Sequence, residues 1–188
     1  MEFNKIVIDR FKQIFHKNDL RIIEQFSNYV KIESDDIVLI VSHDKRENSN
    51  SFYIGKKNSS LYPIDENILR TVFNSALKID HVTPNVFVNN LALFLDGEGY
   101  PLIIGDISIL DAVEKYILNK SNKYTAELRN NQNLDAANKA WKEGDYESFI
   151  KHIDTTDRQK LPSSYELKYK MAQQKLKYRN KGLGRQGW

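Results

Sequence analysis

The sequence predicts an α+β fold: a leading helix, a three-stranded antiparallel meander, and a mostly helical remainder ending in a helical hairpin. Three observations predict it. Apolar residues recur at spacings of three and four near the start, β-branched and extended runs follow, and the helical period returns after Pro63. In the first stretch Phe3, Val7, Phe11, Ile14 and Phe15 mark one stripe of a helix over 2–16. Leu20, Ile22 and the run from Tyr29 to Glu33 read as extended. Ser34-Asp35-Asp36 is turn chemistry, and Ile37 to Val41 is an unbroken β-branched and leucine run suited to a central strand. After the polar connection Asp44 to Asn50, Ser51 to Gly55 completes the meander, with the first helix expected over one face.

Asp65 is placed to cap a helix that buries Ile68, Leu69, Val72, Phe73, Ala76 and Leu77. Thr83-Pro84 puts a cap residue before a proline at the first helical position, opening a helix that Gly97 and Gly99 stop. Pro101 to Ile104 reads as an apolar connection. Gly105-Asp106 then opens a long helix through Leu110, Val113, Ile117, Tyr124 and Leu128, which the polar run Asn130 to Asn133 is expected to end. The chain therefore divides into a body over 1–133, a hairpin appendage over 134–180, and a flexible basic tail over 181–188. In the appendage Leu134, Ala137 and Trp141 share a face, Gly144 breaks the helix, and Tyr146, Phe149, Ile150 and Ile153 share the next. Ser163-x-x-Glu166 has the form of a capping box for a last helix.

Composition bounds the chemistry. Of the 188 residues, 40% are hydrophobic and 11% aromatic, enough for a core. There is no cysteine, which removes disulfides, thiolate nucleophiles and cysteine-held metals together. The first ten residues hold no apolar run longer than three, so no secretory leader is expected, and no stretch is apolar enough to span a membrane. A cytoplasmic location is the expectation. The net charge of +3 is uneven: from Lys168 onward there are seven basic residues and no acidic one, leaving 21 basic against 25 acidic residues elsewhere.

No catalytic, cofactor or metal site is expected. The histidines His16, His43, His81 and His152 lack the close spacing of a helical metal pair. There is no nucleophile elbow, no phosphate-binding glycine loop and no dinucleotide fingerprint. Asp35, Asp36 and Asp44 flank the central strand as a metal-dependent nuclease would have them. The neighbouring strand Ser51 to Gly55, however, supplies neither the further acid nor the lysine such a site uses.

The stretch from Ala140 to Ile150, AWKEGDYESFI, resembles the inter-helix turn of a tetratricopeptide repeat, although Phe149 stands where that repeat has a small residue. One repeat does not bury its own faces, so the hairpin near 134–153 is expected to dock on the body. The order of leading helix, meander with Ile37 to Val41 and Phe52-Tyr53-Ile54-Gly55, then helices is similar to that of small bacterial immunity-type and uncharacterised cytoplasmic proteins. That resemblance implies a non-catalytic, stoichiometric inhibitor that binds a toxin.

Two functions follow as expectations. The first is a non-catalytic protein-binding module, an immunity-type inhibitor of a toxin or a component of another bacterial conflict system, with a basic partner. It would use Asp35, Asp36, Asp44 and Glu47 at the meander ends, with Asp96, Glu98 and Asp106 as a second group. The alternative is nucleic-acid binding through the basic C-terminal stretch, with Lys175, Lys177, Arg179, Lys181 and Arg185 on phosphates.

Overall fold

Helix α1 (Phe3–Lys17) forms where the apolar spacing places it, and it buries Phe3, Ile6, Val7, Phe11 and Ile14. The computed structural model describes residues 2–183. Behind α1 the chain enters a five-stranded antiparallel sheet of order β1-β2-β3-β4-β5: β1 (Arg21–Phe26), β2 (Tyr29–Glu33), β3 (Ile37–Asp44), β4 (Ser49–Lys56) and β5 (Tyr62–Pro63). The meander thus has five strands where the sequence predicts three. Ser27-Asn28 forms a tight turn that separates β1 from β2, and the two-residue β5 is too short to leave a periodic signal.

The central pair is fully in register, with Leu39 opposite Ile54 and Val41 opposite Phe52. Strict alternation sends Val30, Ile32, Ile37, Leu39, Val41, Phe52 and Ile54 to one face, where each is buried. Each such side chain contributes about 1.5–3 kcal/mol. The other face carries Tyr29, Lys31, Glu33, Ile40 and Tyr53, all half-buried, together with the buried Val38. At the outer edge β1 is exposed throughout, and its register slips between Ile22 and Glu24.

The helices α2 (Glu66–Val72), α3 (Pro84–Asp96), α4 (Tyr100–Ile103) and the start of α5 (Ile107–Glu143) complete this core with Leu69, Phe87, Leu91, Phe94, Leu102 and Val113. Asp65 caps α2 as expected, its carboxylate accepting the Ile68 N–H at 2.8 Å. The helix stops at Val72, short of the predicted Leu77, because Asn74 turns left-handed (φ 54°) and the Ser75 N–H returns to the Leu69 carbonyl. Asp65→Ala should cost about 1 kcal/mol, read as a lower urea midpoint with an unchanged slope. Proline stands at the start of α3 as predicted, although the Thr83 side chain makes no capping bond. Pro101 to Ile104, expected as a connection, forms most of the single helical turn α4 and the residue that closes it.

The chain divides into two compact units, the first ending at Leu118 and the second beginning at Asn119. The sequence places a boundary near Asn133 instead, but α5 runs through Asn130 to Asn133 unbroken for 37 residues. Asparagine is a mediocre helix former at roughly half a kcal/mol or more against alanine, and a long helix absorbs that. From 118 to 129 every residue of α5 is exposed.

The second unit comprises the end of α5, α6 (Tyr146–Asp154), a turn of 3-10 helix (Arg158–Lys160) and α7 (Ser163–Leu183). Gly144 (φ 73°) makes the turn between α5 and α6 with open space where a Cβ would stand, and Asp145 caps α6 by accepting the Ser148 N–H. Trp141 meets Tyr146 and Phe149 at ring-centroid distances of 5.5 and 5.1 Å. Phe149, the residue that departs from the repeat pattern, is fully buried with Ala137, Ala140, Ile153 and Ala172. Helix α7 continues to Leu183, beyond the Asn180 limit read from the sequence. The rest of the expected flexible tail, 184–188, lies outside the described residues.

Candidate functional site

One end of the first unit gathers three connections: α1 to β1 (Asn18 to Leu20), β2 to β3 (Ser34 to Asp36), and α4 to α5 (Ile104 to Asp106). The β2–β3 turn is fixed internally. The Ser34 hydroxyl accepts the N–H groups of Asp36 and Ile37 at 3.3 and 3.2 Å, and the Asp36 carbonyl accepts the Lys57 N–H at 2.8 Å. Gly105 (φ 70°) lies against this turn so closely that a Cβ there would stand 3.2 Å from that of Asp36. Asp19 on the first connection is itself left-handed at φ 50°. Asn18, Asp19, Ser34, Asp35, Asp36, Ile103 and Ile104 line a shallow cleft of about 250 Å³.

The electrostatics of this end are acidic. Asp106 accepts both the backbone N–H (2.8 Å) and the hydroxyl (2.7 Å) of Ser108, and these bonds hold its carboxyl below the usual carboxylate range. Asp35 meets Arg21 at 3.4 Å, but both side chains are open to water, so the pair contributes little. Ile104, which lines the cleft, and Ile107, which follows Asp106, are 55% and 62% exposed.

The expected site residues are regrouped. Asp35, Asp36 and Asp106 come to this end, whereas Asp44 and Glu47 lie at the far end of β3, on the order of 20 Å away at about 3.3 Å per residue. There Asp44 accepts the N–H groups of Arg46 and Glu47 at 2.7 and 3.2 Å, closing the β3–β4 loop. Asp96, at the end of α3, pairs with Lys17 at 3.1 Å and borders a cleft of about 440 Å³ with Arg10, Gln13 and Leu93. Glu98 sits in the link between α3 and α4. Asp19, Ile104 and Ile107 escaped the sequence reading. The one available signal was the polar Asn18-Asp19 pair ending α1.

On the second unit Lys175 lies 5.4 Å from the centre of the Tyr146 ring, and Lys177 and Arg179 are exposed. The Lys181 side chain and all of Arg185 lie outside the described residues. A polar group joins α6 to α7: the Tyr169 hydroxyl donates to Asp154 at 2.8 Å, and Arg158 donates to both. The bond to Asp154 pushes the Tyr169 phenol above its ordinary range, and Arg158 is pushed upward too, first by its bond to Asp154. Together these groups tie the 3-10 turn to the helices.

Among the described residues no three histidine, aspartate or glutamate side chains group to hold a metal ion. His43 stacks on Phe3 at 5.6 Å and meets Asn50 at 3.0 Å, a packing role. No helix of the described residues is long and apolar enough to cross a membrane. The two units differ in charge: 1–118 holds 13 basic and 17 acidic residues, and 119–188 holds 15 and 8. No family model matches this chain, and no curated protein and no solved structure matches it.

Proposed function

We propose that the chain works by binding another protein through the acidic end of its first unit, without turnover, and that the partner surface is basic. The observation that carries this reading is the exposed Ile104, which shares a cleft with Asp35 and Asp36, followed two residues on by Asp106 and the exposed Ile107. Water-exposed isoleucines in contact with a partner supply affinity, and the carboxylates steer a cationic surface toward them. A stoichiometric immunity-type inhibitor of a basic toxin is the specific form of the proposal.

The test begins with the protein that co-purifies from the source cell. Its association with the full chain is then followed at two salt concentrations. Asp35→Lys with Asp36→Lys should slow association by about tenfold at low salt and flatten its salt dependence. Ile107→Glu should instead speed dissociation. Deleting 181–188 should leave affinity within about threefold, under 1 kcal/mol. The positive balance of the second unit supports nucleic-acid binding as a second reading, and the pattern would then invert. Nucleic acid would co-purify, the deletion would remove binding, and affinity would fall steeply with salt.

A further inference from the structure

Helix α7 has two apolar faces, and only one of them is used. Tyr165, Tyr169 and Ala172 pack in the core of the second unit, and the half-buried Leu176 follows on the same side of the helix. On the opposite side Leu167, Met171, Gln174 and Tyr178 follow one another at spacings of four, three and four, and all four are exposed. The apolar members are 64%, 41% and 74% open to water. This alternation is the seam of a heptad repeat, with Leu167 and Gln174 at d and Met171 and Tyr178 at a. The flanking e positions are then Lys168 and Lys175, and the g positions are Lys170 and Lys177. Every position that would face a partner's charges is lysine.

On one flank the lysines are held in place. Lys168 sits 5.7 Å from the Trp141 ring centre and 5.3 Å from that of Tyr165, and Lys175 is 5.4 Å from that of Tyr146. Such contacts fix an ammonium that would otherwise sweep through solvent. From this geometry we infer that the outer face of α7 is half of a coiled coil, completed by an amphipathic helix of another protein whose flanks carry glutamate or aspartate. A second copy of this chain does not fit, because pairing two such seams sets lysine against lysine along both edges. A nucleic acid would use the cations and leave the leucine–methionine row unexplained. A membrane would meet only three apolar side chains, interrupted by Gln174. The surface belongs to the second unit, and the proposal does not rest on the role of the acidic end of the first.

The test uses the full chain and a labelled synthetic peptide of about four heptads, with leucine or isoleucine at a and d and glutamate at e and g. Fluorescence anisotropy should show this peptide bound about tenfold more tightly than one with the same glutamates and serine at a and d. Leu167→Asp with Met171→Asp should lower affinity by about tenfold, with helical circular dichroism unchanged because both positions face water. Lys170→Glu with Lys177→Glu should weaken the glutamate peptide and strengthen one carrying lysine at e and g. Asp35→Lys with Asp36→Lys should leave peptide affinity within about twofold, so failure here and failure of the acidic end are told apart. Equal binding of the two glutamate peptides would overturn the inference, as would absence of the charge-swapped rescue. So would a single-stranded oligonucleotide, or a phosphatidylserine vesicle, that bound more tightly and lost its binding in the Leu167→Asp, Met171→Asp variant.

Discussion

Phe149→Ala is expected to unfold the second unit while the first stays folded. Among the described residues the buried apolar side chains of that unit are Ala137, Ala140, Phe149, Ile153 and Ala172, and Phe149 is the largest of them. Removing it costs about 3–5 kcal/mol. A unit of roughly 70 residues rarely holds more than a few kcal/mol of stability, so the loss matches or exceeds the reserve. Loss of Phe149 also strips the Trp141 ring of a partner 5.1 Å away. Hydrogen exchange reads the result directly. Amides of α6 and α7 should lose protection, while those of β2, β3 and β4 keep theirs. A cost under about 1 kcal/mol would mean that contacts other than Phe149 hold the unit.

The second large effect is a collision. At Gly99 a Cβ would lie 2.5, 2.6 and 2.8 Å from three ring atoms of Phe94. That ring has no room to retreat: it is fully buried and stands edge-on to Phe73 at 5.0 Å and 89°. Gly99→Ala should therefore destabilise the first unit by about 1–3 kcal/mol. Phe94→Leu, which trims the ring, should also destabilise when made alone. Combined, the two should cost less than their sum by about 1 kcal/mol, because the smaller side chain vacates the space that the methyl needs. Urea melts of the two single variants and the double variant give the coupling. Strict additivity would contradict the collision.

The residues that announced the fold were those whose local chemistry leaves no choice. The stripe from Phe3 to Ile14, the β-branched run from Ile37 to Val41, the Asp65 cap and the Pro84 start all stand where periodicity and capping place them. What stayed hidden depended on neighbours distant in sequence. β1 is exposed on all six residues, so it shows no alternation and exists through its pairing with β2. β5 exists because Tyr62 and Pro63 lie beside Ile54 and Tyr53. The site behaves the same way. Its carboxylates were visible as residues, but their grouping was not, because Asp36 and Asp44 bracket one strand and the length of that strand carries them apart. Asp106 joins Asp36 through a glycine contact between segments about 70 residues apart in the chain.

The exposed stretch of α5 from 118 to 129 has an evolutionary consequence. With no face packed, its side chains answer to helix propensity and not to shape. Substitutions there should drift freely among alanine, leucine, glutamate, glutamine, lysine and arginine, each neutral within a few tenths of a kcal/mol. Glycine or proline alone should be selected against, at about 1 and 3 kcal/mol. Among diverged copies of this gene these twelve positions would keep their helical character while losing their identity.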